Sequence, residues 1–113
     1  MTTRAKPKTA PLIDADIKAT ESAYTPGLAA AVRARLVYRG TEAQAMAAAF
    51  RIAADLVDAT PASARWCFPE VNLEGSSRDT AQVQVRIELA TGSEDERDQA
   101  IEFFHDVIPA PSA

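Results

Sequence analysis

The residues able to do chemistry are few and scattered. His105 is the only histidine and Cys67 the only cysteine among 113 residues. A catalytic histidine needs an orienting carboxylate or a metal cluster. The nearest acids, Glu102 and Asp106, sit at the spacing of a solvated helix face, and a cation in the last turn of a helix already suits its dipole. Cys67 has no second cysteine at CxxC spacing, so neither zinc nor dithiol chemistry is signalled, and no disulfide can form within one chain. Glu94, Asp95, Glu96 and Asp98 crowd what reads as a helix start, where capping accounts for them. Asp55 and Asp58 fall on the polar side of a helical pattern. A general acid–base pair needs two groups in one cleft with diverging pKa values, and no spacing here supplies that. No GxSxG, P-loop or GxGxxG pattern occurs. The chain is therefore expected to be a non-enzyme with no catalytic residue, cofactor or metal.

The remaining constellation is cationic. Arg33, Arg35 and Arg39 alternate along one segment, with Arg65 and Arg86 on others. Arginines on a sheet face bind nucleic acid best when aromatic side chains stand among them to stack bases. The pattern instead places Tyr38, Trp66 and Phe68 inward, and no RNP1 motif is present. With Val37, these arginines are the expected interface: Arg33, Arg35, Val37, Arg39, Arg65 and Arg86. A solvated face or a protein partner is favoured over nucleic acid.

Charge points the same way. The net charge is −4, whereas nucleic-acid binders are usually basic. All three lysines lie early, at Lys6, Lys8 and Lys18, while from Ala31 to Ile108 acids outnumber arginines by five. A weakly basic arm thus precedes an acidic body. The opening residues carry no apolar signal core, and the longest apolar runs, such as Ala45–Phe50, are too short to span a bilayer. A cytoplasmic protein without a membrane partner is expected.

The elements that must hold these residues follow from period and punctuation. Residues 1–30 read as an arm. Within it, 12–24 fits a short helix, although Ile13, Ala15 and Ile17 alternating with Asp14, Asp16 and Lys18 also fit a strand, and disorder is the third reading. Val32–Arg39 is a strand with Val32, Ala34, Leu36 and Tyr38 on one face. After Gly40, Thr41 caps a helix running to about Ala59, with Gln44 completing a capping box. Its expected buried stripe is Met46, Ala49, Phe50, Ala53, Leu56 and Val57. Arg65–Leu73 is a second strand, expected at an edge with a bulge at Pro69-Glu70. Thr80–Thr91 alternates cleanly as a third. Ser93 and Glu96 then open a second helix, buried through Ala100, Ile101, Phe104, Val107 and Ile108. Residues 31–108 form the domain, and 109–113 a disordered tail.

Two helices on one face of an antiparallel sheet make an α+β two-layer sandwich. A right-handed crossover gives the sheet order 1-3-2 for these three strands. The βαββα pattern over Ala31–Ile108 resembles the ferredoxin-like fold lacking its last strand. In the complete fold that strand would pair with Val32–Arg39, so the resemblance implies an open edge there. Leu12–Lys18 folding back, a second copy of the chain, or a different protein are the three candidates to fill it.

The functional expectation is a small non-catalytic protein–protein interaction or assembly module. It is expected to be homo-oligomeric and of bacterial or bacteriophage accessory type, with itself or another protein as partner. A nucleic-acid-binding protein using the basic arm and arginine face is one alternative. A small-ligand regulatory domain with a site near Gly40-Thr41 is the other.

Overall fold

The computed structural model describes residues 10–21, 30–62, 64, 66–77 and 80–111. Four strands and two helices follow one another: β1 (Leu12–Glu21), β2 (Ala30–Gly40), α1 (Glu42–Asp58), β3 (Trp66–Ser76), β4 (Ala81–Ala90) and α2 (Glu94–Val107). The sheet is antiparallel throughout, in the order β1-β2-β4-β3. The α+β class holds, but the three-stranded 1-3-2 sheet must be corrected to this four-stranded one. The residues expected as a helix over 12–24 are extended from Leu12 to Glu21 and pair with β2 along its length. Val32–Arg39 is consequently an inner strand, not an edge.

Pattern and pairing explain why strand wins in this segment. Its polar residues Asp14, Asp16 and Lys18 all fall on one face once the chain is extended. Opposite them in register are Val37, Arg35 and Arg33. The register shifts between Leu12 and Asp14, leaving Ile13 as the extra residue. A bulge resets the side-chain parity. Leu12, at 5% exposure, and Ile17 can therefore both turn to the core although they differ in parity.

The core is a single layer between one sheet face and the two helices. Val32, Ala34 and Leu36 of β2 and Val83, Val85, Ile87 and Leu89 of β4 are fully buried there, against Leu56 of α1 and Phe104 of α2. Burying each such side chain is worth roughly 1.5–3 kcal/mol. Thr41 caps α1, its Oγ1 accepting from the Gln44 N–H at 3.2 Å. Ser93 caps α2 in the same way from Glu96 at 3.1 Å, and Glu96 Oε2 accepts from the Gly92 N–H at 2.7 Å.

Two expected faces are corrected. In α1 the buried residues are Ala45, Ala49, Ile52, Ala53 and Leu56, while Phe50 and Val57 are 56% and 43% exposed. The helix turns its small residues to the sheet, because alanine lets the two backbones approach closely, and this rotates the larger pair outward. In β3 the bulge lies between Leu73 and Gly75, not at Pro69-Glu70. Without the earlier slip, Cys67, Pro69, Val71 and Leu73 share the helix side. Phe68, opposite Glu88, stands on the other face at 63% exposure. Cys67, expected on the open face, packs against the core. Trp66 lies in β3, and its expected inward side chain is outside the described residues. β3 does lie at an edge, where Pro69, lacking an N–H, is tolerated. In α2, Ala100 and Phe104 are buried, and Ile101, Val107 and Ile108 are partly buried against them.

Gly40 closes β2 where the incoming chain crosses. A Cβ built on Gly40 would stand 2.9 Å from the Ala10 Cβ. Gly40→Ala is therefore expected to destabilise the fold by ~1–3 kcal/mol through overpacking. Ala10→Gly in the same chain should recover part of that loss. Urea denaturation of the two single variants and the double variant measures the coupling, and strict additivity would contradict the contact.

Candidate interaction surfaces

The helix-free face of the sheet gathers most of the expected site. Reading across β1, β2, β4 and β3, one row is Lys18, Arg33, Glu88 and Phe68. The next is Asp16, Arg35, Arg86 and Glu70, and the third is Asp14, Val37, Gln84 and Asn72. Arg39 lies opposite Gln82 beyond them. Arg33, Arg35, Val37, Arg39 and Arg86 are thus brought onto one face. Arg65 lies outside the described residues.

This face is not a cationic surface. Arg35 is held on three sides: Nη1 donates to Asp14 Oδ2 at 3.3 Å, and Nη2 donates to Glu74 Oε1 at 3.4 Å. With the Gln84 amide turned to satisfy both its ends, its oxygen accepts from Arg35 Nε at 2.9 Å and its nitrogen donates to Glu74. Gln82, turned likewise, accepts from Arg39 Nε at 3.1 Å. The cations Lys18, Arg33, Arg35, Arg39 and Arg86 are matched by five carboxylates, Asp14, Asp16, Glu70, Glu74 and Glu88. Pairs this exposed contribute at most about 1 kcal/mol each, but they cancel the field an anionic polymer would follow. Val37 is only 4% exposed, flanked by these polar side chains, so it is part of the packed sheet and not a contact surface. A shallow cavity of about 290 Å³ is lined by Arg33, Arg86, Glu70, Glu88 and Phe68, two charges of each sign.

The apolar surface lies on the other side, along the β3 edge. Phe50 and Val57 of α1 face outward, and Leu73 of β3 is 45% exposed. Between the helix and the strand runs an open groove of about 810 Å³. Phe50, Ala53, Ala54 and Val57 form one wall, Pro69 and Val71 the other. Asp55, Asp58 and Glu70 complete its lining. Sequence reasoning missed this surface by assigning Phe50 and Val57 to the core. The available signal was an excess of apolar positions in α1, more than one face can bury.

The remaining chemistry-bearing residues stay apart. His105 is exposed on α2 and Cys67 is half-buried in β3. Among the described residues no three His, Cys, Asp or Glu side chains gather to hold a metal ion. No described helix is long and apolar enough to cross a membrane. No protein-family model matches the chain, and no curated protein or solved structure is significantly similar to it.

Burial of the Tyr38 phenol, helped by the nearby Asp55 carboxylate, raises its pKa above the ordinary 10.0. The folded state therefore holds this proton after the unfolded chain has released it. Its contribution to stability is complete below pH 10 and is lost as pH rises through the folded pKa. The stability difference between wild type and Tyr38→Phe should stay flat up to about pH 10 and then shift against wild type, by no more than ~1.4 kcal/mol per pH unit. Denaturation at a series of alkaline pH values measures it, and parallel curves above pH 10 would refute the assignment.

Proposed function

We propose that this chain is a small non-catalytic protein–protein interaction or assembly module that acts as a homo-oligomer. The observation that carries the reading is the pair Phe50 and Val57, exposed along the wall of an open groove between α1 and the β3 edge. Apolar side chains gathered in this way mark association surfaces more often than isolated ones do. The opposite edge, at β1, is protected by Asp14, Asp16, Lys18 and a bulge, devices that blunt strand-to-strand pairing. Association is therefore directed to the α1–β3 side, with the arginine-bearing face as a polar surface beside it.

Charge balance weighs against the nucleic-acid alternative. Five cations answered by five carboxylates give little counterion release, the main source of such affinity. The small-ligand alternative near Gly40-Thr41 loses its space, since Ala10 occupies the near side of Gly40. We also read the sheet as a ferredoxin-like arrangement whose last strand is supplied from the N-terminal side by β1. That reading of the fold carries no function by itself.

Light scattering at high micromolar concentration is expected to give a mass at least twice that of one chain. A monomer mass throughout would overturn the proposal. Single-stranded and duplex probes at low salt are expected to show no shift, and a shift that weakens steeply with salt would restore the nucleic-acid reading.

A further inference from the structure

α1 carries two apolar stripes. One, Ala45, Ala49, Ile52 and Leu56, faces the sheet. The other runs Ala43, Ala47, Phe50, Ala54 and Val57, at spacings of four, three, four and three residues. All of the second stripe is exposed except Ala47, which is half-buried. That spacing is the seam of a two-helix coiled coil. A helix with one side on a sheet needs no second seam for its own fold.

We infer that the second stripe is the contact between two copies of this chain, with α1 packed antiparallel to α1 of the second copy about a two-fold axis. The inference rests on the homo-oligomeric reading and specifies its surface. Size complementarity supports it. When the helices cross near Ile52, Phe50 of each copy lies over Ala54 of the other, and Val57 lies over Ala47. Large side chains then fill the space over small ones, twice, as a two-fold axis requires.

Charge sets the direction. Arg51 is the only basic residue of α1, while Asp55 and Asp58 follow it by one and two turns. All three are exposed. Antiparallel packing brings Arg51 of each copy beside the Asp55–Asp58 turn of the other. Parallel packing would set Arg51 against Arg51 and carboxylate against carboxylate.

Area brings in the neighbouring strand. A helix of this length is about 25 Å long and ~10 Å wide, so a helix pair alone falls short of the ~800 Å² per partner of a stable interface. The groove beside α1 supplies the remainder through Pro69 and Val71.

Sedimentation equilibrium of the full chain tests the inference. Wild type is expected to be a dimer. Ala54→Arg, a change at an exposed site, should weaken dimerisation at least about tenfold while leaving the circular dichroism spectrum unchanged. If Ala54→Arg loses its helical signal, Val57→Glu serves the same purpose. Arg51→Asp alone should also weaken the dimer. Mixing the Arg51→Asp chain with an Asp55→Arg/Asp58→Arg chain should restore association as a heterodimer. A dimer indifferent to Ala54→Arg and Val57→Glu would overturn this seam and leave the homo-oligomeric reading standing. Unchanged affinity in Arg51→Asp would overturn the antiparallel direction. A wild-type monomer would overturn both the seam and the reading beneath it.

Discussion

The arrangement depends on the pairing of β1 with β2. Without β1, the backbone groups on one side of Ala30–Gly40 would face solvent, and that edge would be the natural place for another chain to add a strand. With it, β2 is enclosed between β1 and β4, and Leu12 and Ile17 extend the core. The sheet then has two edges of different character. β1 offers charge and a bulge, while β3 offers a proline, a bulge at Leu73–Gly75 and an apolar flank. Pro69 and the bulge both interrupt a ladder, so contact at β3 is better made by side chains than by backbone pairing. That is consistent with a helix seam as the contact and the strand as its support.

The sequence made part of this plain. β4 alternates without a break, and both helices announce themselves through Thr41 and Ser93 with acceptors three residues on; such local signals need no tertiary context. The N-terminal segment was ambiguous because Ile13, Ile17 and Tyr24 fit a helical stripe as well as Ile13, Ala15 and Ile17 fit a strand. The choice was made by β2, whose open side gives the segment a ladder to join, and no local pattern contains that information. The faces of β3 were misread for a related reason. A bulge puts the residues before and after it out of step, so with Val71 and Leu73 on the helix side a bulge at Pro69 would set Phe68 inward and Cys67 outward, whereas the unbroken register from Trp66 to Leu73 does the reverse.

The candidate site was less legible than the fold. Arg33, Arg35, Arg39 and Arg86 do share a face, as period two requires. The carboxylates that share the face, Asp14, Asp16, Glu70 and Glu74, come from strands whose register no local pattern specifies. The row therefore looked cationic in one dimension and is neutral in two. The α1–β3 surface was hidden in the opposite way: Phe50 and Val57 look like core residues until Ile52 and the alanines are seen to fill that role. In both cases the apparent function moved when neighbours in space replaced neighbours in sequence.

The most direct measurement is amide hydrogen exchange along β2. In an inner strand the amides facing β1 and those facing β4 are both in ladders, so every amide from Val32 to Arg39 should be strongly protected, to nearly the same degree. Alternating protection, with every second amide exchanging at the rate of an exposed edge, would show that β1 does not close the sheet. It would return the open edge, and the search for a partner, to β2.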